Sequence, residues 1–349
     1  MSALAAMSLS QTAIAADPIL DANVDNPAGT TITGTAGYGV KLDAGGPYTI
    51  SNAGEITVDA ATEGYGIWIN DANDTDSLVV TSLINSGVIY GEATATNSGY
   101  GIVIHDGGTI TTLTNSGTIH GSAAGSGGGG IYLSKDATYI GTLTNTGTIT
   151  GTSGSGADWG RGMVLYSDVG SIDNAGVISG YSGKDIGYGF ILDYTSSVGT
   201  ITNSGTITAS AVDDIAYGIF IDTSSSVGTI TNSGTITTSA VDDTAYGIFI
   251  DDSSSVGTIT NSGTITASAG GSDAVGIHVD STSSVGTITN SGTITASAGG
   301  FTAYGIFIDT SSSVDTITNS GTISGSAGVD DAYGIFIDTS SSVGTITNS

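Results

Sequence analysis

Between Val198 and Ser226 the chain alternates apolar and polar residues in three short runs. They read V-G-T-I-T-N, then, after Ser-Gly, T-I-T-A-S, and finally Y-G-I-F-I-D beyond the loop A-V-D-D-I-A. A period of two, rich in Thr and Ile, predicts β-strands, and no segment keeps helical i, i+3, i+4 spacing over a useful length. Asn and Gly between the first two runs are expected to form the tight turn, because both tolerate left-handed backbone.

The unit recurs. Asn-Ser-Gly or a close variant stands at Asn52, Asn85, Asn115, Asn145, Asn174, Asn203, Asn232, Asn261, Asn290, Asn319 and Asn348, with spacings of 33, 30 and 30 residues and then 29 throughout. Fixed-period self-similarity is the mark of a solenoid. The expected fold is all-β: a right-handed parallel β-helix with three strands per coil and about 29 residues per coil. Eleven such coils at ~4.8 Å each make a rod of roughly 50 Å.

Comparison of the copies assigns the faces. The positions of Ile219 and Ile221 hold only apolar residues, among them Val40, Ile67, Met163 and Phe190 at the first and Leu42, Ile69 and Leu192 at the second. The position between them, Phe220, holds Lys41, Trp68, Tyr132 and His278 elsewhere, so it is expected to face solvent. The same alternation puts Ile201 and Ile207 inside and Thr200, Thr202, Thr206 and Thr208 outside.

Composition refines this picture. Glycine is abundant (56 residues), but an apolar fraction of 38% with regularly spaced Ile argues against disorder. Pro18, Pro27 and Pro47 all precede the regular array, as expected of a residue that cannot donate to a β-ladder. Residues 17–47 are therefore expected to form an N-terminal cap and residues 48–349 the array. The sequence stops at Thr-Asn-Ser inside a repeat, which suggests a fragment with an uncovered sheet edge. Residues 3–16, ALAAMSLSQTAIAA, look like the remnant of a secretory signal peptide, with cleavage after Ala15 or Ala16. A net charge of −28 with four basic residues, Lys41, Lys135, Arg161 and Lys184, speaks against nucleic acid and anionic membranes as partners. The absence of cysteine removes disulfides and thiolate metal sites.

The units T-I-T-N-S-G-T-I-T behind a secretory leader resemble the passenger region of bacterial autotransporters of the type V secretion pathway. The likeness covers residues 28 to 349. It implies a β-helix displayed at the surface of a Gram-negative cell or released from it. It also implies a role as adhesin or structural spacer, and an outer-membrane β-barrel in a C-terminal part beyond Ser349.

Candidate chemistry is sparse. There is no G-x-S-x-G, and His105, His120 and His278 lie on different coils. Gly125, Gly127 and Gly130 match G-x-G-x-x-G in a glycine run that no helix follows. Parallel β-helices also host carbohydrate-active enzymes, for which Lys184, Asp185 and Arg161 are the nearest constellation, or whose site would lie outside this sequence. Catalysis is not expected, nor is a cofactor or a bound metal. Asp193, Asp222, Asp251, Asp280, Asp309 and Asp338 share one repeat position, either as an acidic edge or as a cation ladder. Outward Thr-x-Thr pairs raise ice binding as an alternative. The contact surface expected from the sequence is the row Phe220, Phe249, Phe307 and Phe336, interrupted by His278, for a host-surface protein or glycan or for self-association.

Overall fold

The computed structural model describes residues 23–349 apart from 35–36, 44, 72–77, 96, 136–137 and 157, together with the backbone of Met7–Ser8 and Ile14–Ala15. It is a parallel β-solenoid. Each coil gives one strand to each of three sheets, for example Ser226–Asn232, Thr235–Ala240 and Ala245–Ile250. The sheets hold 13, 12 and 11 strands, and no helix occurs among the described residues. The rest of the expected signal segment lies outside the described residues. From Val24 onward the segment expected as a cap already winds with the array, because Val24–Asn26, Thr31–Gly34 and Tyr38–Leu42 each join a sheet. Pro27 sits between two of those strands, where no ladder donor is needed.

The register stacks like on like. Ile201, Ile230, Ile259, Ile288 and Ile317 pair in sequence along the first sheet. With Ile207, Ile219, Ile221 and their counterparts they form one continuous core from Val24 to Ile317. A coil alone cannot exclude water from its aliphatic face, so burial comes from stacking and the coils are stable only as neighbours. Thr200 and Thr202 are exposed and Thr206 and Thr208 half-buried, as the alternation predicts.

The Asn-Ser-Gly asparagines do something other than expected. None has a left-handed φ. Asn203 ends its strand pointing inward and is buried, and its Nδ2 donates to Asn232 Oδ1 at 2.7 Å and to Thr235 O at 3.1 Å. The same pair of bonds repeats at Asn232, Asn261 and Asn290, giving a side-chain ladder inside the array. The left-handed residues are instead at the D-T-S-S corner, such as Thr223 (φ 50°) and Ser224 (φ 59°). There Asp222 Oδ1 accepts the Thr223 N–H at 2.7 Å, and the Ser225 N–H donates to Ser254 Oγ one coil on at 3.1 Å. The Asp column thus closes a corner, a local role suited to its short acceptor side chain.

Candidate ligand-binding site

The third sheet does not alternate simply, and glycine is the reason. Gly218 turns toward the interior, where a Cβ would meet Gly247 O at 2.4 Å and Ile236 Cγ2 at 2.7 Å. With Gly218 and Ile219 both inward, Tyr217 and Phe220 emerge on the same outer face, their ring centroids 4.6 Å apart. Stacking of coils extends this pair into two adjoining columns of rings. Tyr188, Tyr217 and Tyr246 are spaced 5.2 and 5.3 Å apart, and Phe220 lies 5.3 Å from Phe249.

This arrangement sets how deep the expected contact stripe lies. The Phe row lies on the outer face, but the tyrosine column packs against it. Phe220 and Phe249 are only 8% and 6% exposed, and Phe307 and Phe336 are half-buried against Tyr304 and Tyr333. Around Phe220 and Phe249 the surface is covered by its own rings.

Farther toward the N-terminus the columns are broken. The tyrosine column has Gly129 and then Arg161 between Tyr100 and Tyr188, and the phenylalanine column runs Val103, Tyr132, Val164 and Ile191 before Phe220. The Tyr100 ring leans over Gly129, where a Cβ would come within 2.3 Å of it. Smaller residues where rings would stand open a cavity of about 600 Å³. Its walls include Tyr65, Trp68, Tyr100, Tyr132, Trp159, Tyr166, Tyr188 and Phe220, with His105, Asp193 and Asp222 among its polar lining. Tyr65 and Trp68 stack at 4.9 Å and Trp68 and His105 at 5.6 Å. Both tryptophans of the chain belong to this cavity.

Arg161 lies within this lining. It is 8% exposed, its Cζ lies 4.4 Å from the Trp159 ring centre, and its Nη1 donates to Tyr100 Oη at 3.3 Å. Its Nε has no acceptor, and no carboxylate among the described residues stands within ion-pair distance. Burial alone would lower its pKa; the phenols of Tyr100, Tyr166 and Tyr188 outweigh that and hold it above the ordinary value. Burial in turn pushes the Tyr166 phenol up to about 12 and Tyr188 higher still, against the opposing pull of Arg161. A buried guanidinium needs anionic or strong acceptor partners, and here π-faces and a phenol supply only part of that demand. Asp222 is pushed up to about 6, first by partial burial and then by Asp193, Asp251 and Asp252, while the Thr223 N–H pulls the other way.

The other sequence candidates fall elsewhere. Lys184 pairs with its neighbour Asp185 at 3.1 Å on the surface, and the structure does not join them to Arg161. His120 stacks on Tyr90 at 5.1 Å and bonds Thr150 Oγ1 on the second sheet, and burial lowers its pKa. His278 stands in the phenylalanine column, paired with Phe249. The signal for the cavity that sequence reasoning missed is the interruption of a tyrosine column by one glycine and one arginine. Compared with known proteins, the chain matches no family model, no curated protein and no solved structure.

Proposed function

We propose that the chain is a non-catalytic, surface-displayed β-helical module of the autotransporter-passenger kind, and that it binds an acidic saccharide in the cavity around Arg161. The observation that carries the reading is a buried guanidinium with no carboxylate of the described residues in ion-pair distance, set among aromatic walls. Aromatic faces receive the apolar C–H face of a pyranose, a guanidinium fork pairs with a uronate or sulfate, and rim carboxylates accept sugar hydroxyls. A binding role is favoured over hydrolysis because the Asp193–Asp222 pairing is not special to the cavity. The same column continues through Asp251, Asp280 and Asp309, and Asp309 too is raised, by burial and then by Asp280 and Asp338.

Calorimetric titration with an oligogalacturonate and with a neutral oligosaccharide of equal length tests the binding. The acidic oligomer binds and remains uncleaved, the neutral one binds at least tenfold more weakly, and Arg161→Gln removes the difference. Equal affinity for both, or cleavage of the acidic oligomer, overturns the reading. Display is tested by protease treatment of intact source cells: loss of the chain supports it, and full protection contradicts it.

A further inference from the structure

We infer that His278, Asp280 and Asp309 form a binding site for a divalent transition-metal ion, Zn²⁺ in the first place, on the outer face of the third sheet. This site is independent of the saccharide cavity and lies two coils beyond Phe220. His278 takes the place that Phe220, Phe249, Phe307 and Phe336 hold in neighbouring coils, and it preserves their stacking. Its ring centre is 4.7 Å from that of Phe249 and 4.6 Å from that of Phe307, with interplanar angles of 8° and 4°.

A phenylalanine there has no polar atoms to satisfy, whereas His278 has two. The residue is 5% exposed, and neither Nδ1 nor Nε2 has a hydrogen-bond partner. Leaving two ring nitrogens dry is costly unless something engages them. One ring nitrogen and a carboxylate oxygen from each of Asp280 and Asp309 lie within 4.8 Å of one another. Oδ1 of each aspartate is used by the next backbone N–H, that of Ser281 at 2.6 Å and of Thr310 at 2.7 Å, which fixes both carboxylates at the corner. Each carboxylate has a second oxygen beyond that bond; the Thr310 hydroxyl also hydrogen-bonds the Asp309 carboxylate.

The donor set selects the ion. An imidazole nitrogen among carboxylates suits Zn²⁺, Ni²⁺ or Cu²⁺ and does not suit Ca²⁺ or Mg²⁺, which take oxygen ligands. Zinc bonds of ~2.1 Å place ligand atoms ~3.4 Å apart, within reach of small side-chain rotations from the present spacing. Three protein ligands leave a fourth position open to water or an external group. Asp280 and Asp309 belong to successive coils, so the ion clips one coil to the next. Elsewhere the Asp column lacks the nitrogen ligand, because the place of His278 is held by Ile191 beside Asp193 and by phenylalanine beside the others.

The test uses untagged, chelator-treated protein titrated with Zn²⁺ and, separately, Ca²⁺ in a calorimeter, with Co²⁺ absorption as a second readout. His278→Phe restores the residue of the adjacent coils and keeps the stack, so it is expected to fold. The wild type takes up one Zn²⁺ that His278→Phe does not, and its Co²⁺ complex shows visible d–d bands that the variant lacks. Asp309→Asn weakens the same site. Zn²⁺ uptake that is unchanged in His278→Phe, a wild type that takes up no Zn²⁺, or a preference for Ca²⁺ over Zn²⁺ at this site overturns the assignment.

Discussion

Replacing Asn232 by aspartate changes one NH₂ group into one oxygen and leaves shape untouched, so it isolates the worth of the asparagine ladder. The Asn232 Oδ1 accepts from Asn203 Nδ2 at 2.7 Å, and that bond survives. Its Nδ2, however, faces three acceptors: Asn261 Oδ1 at 2.8 Å, Thr264 O at 3.1 Å and Gly234 O at 3.4 Å. In Asn232→Asp an ionised oxygen would confront all three, in a site only 1% exposed. A buried charge deprived of partners costs about 3–5 kcal/mol. Protonation turns that oxygen into a donor to Asn261, leaving one lost bond worth about 1 kcal/mol. The difference of about 3 kcal/mol corresponds to roughly two pKa units, which puts the new carboxyl near pH ~6 against ~3.9 unfolded. A raised acid pKa means the penalty is complete above ~6 and fades as pH falls toward ~4. Guanidinium unfolding followed by far-UV circular dichroism at pH 7.5 and pH 4 measures it, with exposed Ser239→Asp as the charge control. Asn232→Ala is expected to lose about 2–3 kcal/mol at both pH values. An Asn232→Asp protein as stable as the wild type at pH 7.5, or equally weakened at both pH values, would refute the ladder as an energetic element.

Two further outcomes follow from the outer face. Asp222→Asn keeps the acceptor for the Thr223 N–H and removes a carboxylate held at about pH 6. Because its folded pKa lies above the unfolded one, the wild type loses stability as pH rises from ~4 through ~6. The variant therefore has the higher melting temperature at pH 7.5 and no advantage at pH 3.5; a constant difference across that range contradicts the shift. Arg161→Tyr continues the column of Tyr188 and Tyr217 and removes a buried guanidinium that no carboxylate among the described residues pairs. It is expected to stabilise the chain by about 1–2 kcal/mol while abolishing saccharide binding. Destabilisation in denaturant melts would show that Arg161 is a structural residue.

The inward Ile219 and Ile221 were legible because the copies vary in size there and never in polarity. The period was legible because a coil's length is fixed by its three strands. Two features were not. Asn203 and its counterparts look like turn residues, since a local turn and a ladder across coils demand the same side chain; only the register distinguishes them. Phe220 looked exposed because alternation assigns a face and not a depth. Depth came from Tyr217, three residues away, which Gly218 swings onto the same side. The cavity was hidden for a related reason. Arg161 acquires meaning only beside Tyr100 and Tyr188, which lie 61 residues before it in one hydrogen bond and one coil after it in the sheet.

Trp68 and Trp159, the two tryptophans of the chain, both line the cavity, so emission excited selectively at tryptophan reports on that place alone. Titration of the wild type with an oligogalacturonate should give a saturable change in tryptophan emission that the neutral oligomer does not produce and that Arg161→Gln abolishes. An emission spectrum unmoved by the acidic oligomer, or moved equally by the neutral one, would contradict an arginine-centred saccharide site.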